Sequence, residues 1–138
     1  MHPFHALLLL FALFGLLAFA FLMRWERRYF QRCGKAGAWL MVRLATIPIA
    51  LVTVALVILP SRSGMEGLAV FYLMLLTVAP IFWFGAHWMV GKLARPPLTF
   101  GETVQIAGTP IVFGLALSAV AHALQPIAWS LLRSAGAI

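Results

Sequence analysis

Residues 4–35 read FHALLLLFALFGLLAFAFLM followed by RWERRYFQRCGK. The first twenty carry no Lys, Arg, Asp or Glu. As a helix they rise about 30 Å, the thickness of a bilayer's hydrocarbon core. The twelve that follow hold Arg24, Arg27, Arg28, Arg32 and Lys35. A secretory leader carries its positive charge before the apolar run. Here the charge comes after it, so the Ala18-Phe19-Ala20 triplet reads as part of a retained membrane span and not as a cleavage site. The helix is expected to continue past the lipid and to break at Gly34, the residue type that best ends a helix.

The same reading extends along the chain. Apolar runs over residues 36–59, 64–90 and 100–132 are each long enough to cross a bilayer. Pro60 closes the second, and Pro96-Pro97 separates the third from the fourth. Two starts carry the S/T-x-x-E pattern of a capping box: Ser63 with Glu66, and Thr99 with Glu102. A barrel strand would alternate apolar and polar residues, whereas these runs are apolar throughout. The expected fold is therefore all-α: an integral membrane four-helix bundle forming a single domain over residues 1–138.

Composition agrees. Of 138 residues 64% are hydrophobic and 9% charged, against roughly half and a quarter in soluble domains. The net charge of +7 flanks the apolar spans, which points to membrane orientation and anionic lipid headgroups; no nucleic-acid partner is expected. The lone Cys33 forms no internal disulfide and no multi-cysteine metal site.

Lys/Arg asymmetry orients the spans. The first connection holds five basic residues, the second only Arg62, and the third Lys92 and Arg95. Both odd connections are thus expected in the cytoplasm and both termini on the non-cytoplasmic side. The expected location is a bacterial inner membrane, with Arg24, Arg27, Arg28, Arg32 and Lys35 at the lipid headgroups.

Ionisable groups inside a span are costly and mark candidate sites. Arg43 lies about two turns inside the second span. Its plain reading is snorkelling to the headgroups. However, Arg43, Thr46, Ala50 and Thr53 share one helical face, small and weakly polar like a contact face between membrane helices. His87 and Glu102 fall at similar depth on the third and fourth spans. Arg43, His87 and Glu102 are therefore expected to form a polar cluster at the cytoplasmic mouth, with Glu102 as the mate of Arg43. On the fourth span Gly114, Ser118, His122, Gln125 and Trp129 recur at spacings of three and four. They form a packing face toward neighbouring helices or a docking face for another subunit.

Prolines 48, 80, 110 and 126 interrupt the spans and tend to kink helices. The aromatics Trp25, Tyr29, Trp39, Trp83, Trp88 and Trp129 mostly fall near span ends, as an interfacial belt would. The proline-free first span reads as an anchor, and spans two to four as the packed part.

Asp is absent, and no Ser/His/Asp set, phosphate loop or mid-span acid is found. No enzyme activity is expected. Haem would need two histidines on different helices at matching depth, and His122 pairs poorly with His5, so no resident cofactor or metal is expected. The leading expectation is an accessory or structural subunit of a larger inner-membrane complex, partnered by other subunits or by its own copies. The alternative is a small oligomeric transporter or channel for a neutral or anionic solute. A third is a redox subunit sharing haem or quinone with a partner, resting on His122 and His87.

Overall fold

Helices dominate the computed structural model of this chain. It describes residues 3–136; residues 1, 2, 137 and 138 of the expected domain lie outside the described part. In chain order α1 is Pro3–Arg32, α2 Ala36–Ile58, α3 Met65–Leu73, then a π-helical turn Met74–Val78, α4 Ala79–Leu93 and α5 Phe100–Ser134. There is no strand among the described residues. The third apolar run, Met65–Leu93, is continuous through the π turn, so four helices are long and apolar enough to cross a membrane.

Local chemistry sets most of the ends. α1 stops as expected at Gly34, whose φ of 70° is left-handed. The Gly34 amide bonds the Gln31 carbonyl at 3.1 Å, and the Lys35 amide reaches back to Phe30 at 2.9 Å. These are the two bonds of a Schellman motif, and they satisfy carbonyls the helix end would leave bare. α5 begins with a full capping box. The Thr99 amide donates to the Glu102 carboxylate at 2.9 Å, and the Glu102 amide donates to the Thr99 hydroxyl at 3.3 Å.

The other capping box does not form. α3 starts after Gly64, with no side-chain bond at the cap, and the Gly64 carbonyl takes the Leu68 amide. Ser63 sits one position too early. The preceding turn is closed instead by Ser61, whose hydroxyl donates to the Val57 carbonyl at 2.7 Å. Glu66 still lies in the first turn, where a negative charge suits the helix dipole.

The π turn immediately precedes Pro80. A proline lacks the N–H that the carbonyl four residues back requires, and its ring crowds that carbonyl. Widening the preceding turn is one way to absorb the insult. The Ala79 amide accordingly bonds the Met74 carbonyl, five residues back.

Two compact units result. One comprises Met1–Tyr29 with Pro110–Ile138, the other Phe30–Thr109. In the first, α1 and the later part of α5 lie antiparallel. Phe19 and Phe113 have ring centroids 5.5 Å apart, and a Cβ on Gly15 would sit 3.4 Å from Leu117. The first span is the most exposed of the four, as expected, while the division between the units falls inside the fourth apolar helix, at Pro110. In the second unit α2 packs on α4, and Val42, Ile49, Ala79, His87, Ile106 and Ala107 are buried.

α4 and α5 come close together at Gly91. A Cβ there would lie 2.7 Å from the Thr103 hydroxyl, which is itself bonded to the Thr99 carbonyl at 3.0 Å. The Gly91 carbonyl also receives the Leu98 amide at 2.9 Å. Neither partner is free to yield. Gly91→Ala is therefore expected to destabilise the protein in detergent by about 1–3 kcal/mol, the usual cost of overpacking. Thermal unfolding of the purified variant measures this.

Candidate functional site

The polar side chains of the Phe30–Thr109 unit gather at one end, because three helices deliver them to one depth. Arg43 lies seven residues into α2, about 10 Å along its axis, and His87 lies six residues before the end of α4, about 9 Å. Ile106 lies six residues into α5, again about 9 Å.

At that depth α5 has a defect. Pro110 cannot donate to the Ile106 carbonyl, four residues back. Ile106 is fully buried, so no water replaces the lost partner and a neighbouring helix must. Arg43 does so: its Nη1 donates to the Ile106 carbonyl at 3.0 Å. The next carbonyl, that of Ala107, accepts the Trp83 indole N–H at 2.8 Å. α2 and α4 thus each send one donor to adjacent carbonyls of α5. The snorkelling reading of Arg43 is incomplete, since at least one of its N–H groups points inward. Trp83 belongs to this network and not to an interfacial belt.

His87 is fully buried and held at both ring nitrogens. Nδ1 lies 2.7 Å from the Trp83 carbonyl. A carbonyl only accepts, so Nδ1 carries a proton. Nε2 lies 3.1 Å from the Thr46 hydroxyl, which in turn lies 2.9 Å from the Val42 carbonyl. The indole of Trp83 also lies against the imidazole, with centroids 4.6 Å apart. With both nitrogens engaged, His87 offers none to haem iron without breaking this network.

One turn along α5 a second layer forms. Both Glu102 carboxylate oxygens accept from Lys35 Nζ, at 3.0 and 2.8 Å. Lys35 is the residue just after the Gly34 turn, so the helix stop of α1 aims it at α5. The expected pairing of Glu102 with Arg43 is thereby corrected: the carboxylate is claimed by Lys35 and by the Thr99 amide, and Arg43 reaches a carbonyl one turn further on. Lys35 is likewise an ion-pair partner and not simply a headgroup contact. The side chains of this pair are 21% and 16% exposed, so it is partly shielded from solvent.

The remaining candidates lie elsewhere. Arg24, Arg27, Arg28 and Arg32 are exposed along the end of α1. Gly114, Ser118, His122, Gln125 and Trp129 are all exposed on α5. As a packing face within the chain this stripe is corrected. The face of α5 turned toward α1 carries Phe113 and Leu117 instead, because large apolar side chains interlock with Phe19 and the small Gly15. Among the described residues no group of three or more His, Cys, Asp or Glu is placed to hold a metal.

The arrangement holds α2, α4 and α5 together. Sequence reasoning overlooked Trp83, Thr46 as the partner of His87, and Lys35 as the mate of Glu102. Pro110 was the available signal: it frees a carbonyl at the depth of Arg43.

No protein-family model, curated protein or solved structure significantly matches this chain.

Thr46→Val keeps the side chain's shape and removes its hydroxyl. It leaves Nε2 of a buried imidazole without its partner, so a loss of about 1–3 kcal/mol in stability is expected. Thr46→Ser should lose much less. Denaturation in detergent compares the two, and equal losses would count against the His87 bond.

Proposed function

We propose that this chain is an integral membrane protein acting as a structural subunit of a larger inner-membrane assembly, with both termini on the non-cytoplasmic side. The observation that carries the reading is the exposed polar face of α5. His122 and Gln125 lie within the charge-free stretch between Glu102 and Arg133, and both are exposed. Pro126 has no N–H for the His122 carbonyl. One face at membrane depth therefore presents an imidazole, an amide and a carbonyl that its own helix cannot serve.

Polar groups at that depth are expensive against lipid and bond to neighbouring helices instead. At Pro110 the same defect is met from inside the chain by Arg43. At Pro126 a partner subunit would meet it. Ser118 and Gly114, one and two turns before His122, leave room for close helix approach. The polar cluster around Arg43, His87 and Glu102 then acts as the internal fastening that keeps the subunit in shape.

A small oligomeric transporter is the second reading. It draws support from the π turn before Pro80, since π turns often mark working segments of a helix. Flux through liposomes holding the purified protein separates the two.

Purification in a mild detergent should recover other membrane proteins in stoichiometric amount. His122→Ala with Gln125→Ala should release them while leaving the thermal stability of the isolated chain within about 0.5 kcal/mol, as expected of exposed positions. A stable lone monomer, or a complex indifferent to these substitutions, would contradict the proposal.

A further inference from the structure

α1 remains helical well past its apolar run, and this fixes where its arginines point. At 100° per residue, set by 3.6 residues per turn, Arg27, Arg24 and Arg28 fall within one arc of about 100°. Trp25 and Tyr29 lie together on one side of the arc, about 60° and 100° beyond Arg28, and are 57% and 42% exposed. Glu26 falls on the other side of the helix and is buried. The arc thus holds three exposed guanidinium groups and no carboxylate.

Depth follows from the same geometry. Residues 4–23 fill about 30 Å of hydrocarbon. Arg24 is the next residue, and Arg28 lies about 6 Å beyond it. The headgroup layer is roughly 5–7 Å deep on each side. All three arginines therefore stand at the level of the lipid phosphates, with the two aromatic rings at the level such rings prefer.

We propose that Arg24, Arg27 and Arg28, with Trp25 and Tyr29 along one side, form a binding site for the phosphate of an anionic phospholipid. A guanidinium gives two parallel N–H bonds to two phosphate oxygens, a fit an ammonium lacks. Three like charges on one arc repel one another until a counter-charge sits among them. A zwitterionic headgroup brings its own ammonium into that field, whereas a net-negative headgroup does not. The two aromatics select a lipid over a free anion, because they contact the glycerol and upper acyl region that only a lipid supplies. The proposal rests on insertion of the spans, though not on the subunit reading or on the sidedness of the termini.

The test reconstitutes the full chain into vesicles of phosphatidylcholine alone and of equimolar phosphatidylcholine and phosphatidylglycerol. Alkaline extraction reports insertion, and native mass spectrometry reports the lipids retained. The expected result is firm insertion in both vesicles and several-fold enrichment of phosphatidylglycerol among retained lipids. The triple variant R24Q/R27Q/R28Q should insert equally and retain lipids in the bulk ratio. Arg62→Gln should leave the enrichment intact. Firm insertion without enrichment, enrichment that survives the triple variant, or an equal loss with Arg62→Gln would overturn the site. Abolition of the enrichment by inorganic phosphate would assign it to a free anion and overturn the lipid. Extraction of the wild-type chain by alkali from both vesicles would overturn the membrane reading itself, and the site with it.

Discussion

A proline inside a helix leaves one backbone carbonyl without its partner, and a buried carbonyl meets no water to replace it. In this chain the carbonyl is that of Ile106, and Arg43 supplies the missing donor from another helix. Much of the architecture of the Phe30–Thr109 unit follows from that single requirement. The guanidinium must lie at the depth of Ile106, which sets the register of α2 against α5. Trp83 serves the adjacent Ala107 carbonyl, which sets α4 by the same logic. His87, one turn from Trp83 on α4, then meets Thr46, one turn from Arg43 on α2. The defect in α5 thereby becomes the point where three helices are joined.

The outer layer is built differently. Lys35, Glu102 and Thr99 satisfy a helix start and a loop charge together, and Gly91 brings α4 against α5 beside them. Partly exposed ion pairs contribute little on their own. Here the carboxylate also closes a capping box, so one side chain fixes the start of α5 and the position of the turn after α1. Pro110, whose missing N–H calls for Arg43, is also where the chain divides into its two compact units.

The four long apolar helices were legible because each is a run of about twenty or more residues with few charges and a stop. Gly34 and the Thr99–Glu102 box were legible for the same reason, since each acts through its own few residues. Ser63–Glu66 misled because a four-residue pattern does not say which residue the preceding turn leaves at the helix start, and Ser61 had already closed that turn. The mate of Glu102 was misassigned because Lys35 stood among arginines that do face outward, and spacing alone cannot tell which cation a turn swings inward. Trp83 was placed in a belt by its position along the sequence, when the freed carbonyls of α5 decide its direction. The exposed stripe of α5 showed the right residues without saying which face α1 would take, a choice made by the fit of Phe19 and Gly15 to Phe113 and Leu117. Matching carbonyls freed by prolines to donors at equal depth would have found Arg43 and Trp83.

The central claim is that Arg43 serves a carbonyl made needy by Pro110, and a double-mutant cycle addresses it directly. Pro110→Ala restores an N–H for the Ile106 carbonyl within α5 itself. Stability in detergent is measured for the wild type, Arg43→Leu, Pro110→Ala and the double variant. The account predicts that Arg43→Leu costs about 1–2 kcal/mol less in the Pro110→Ala background than in the wild type, the coupling expected of two residues acting on one group. An equal cost in both backgrounds would contradict it.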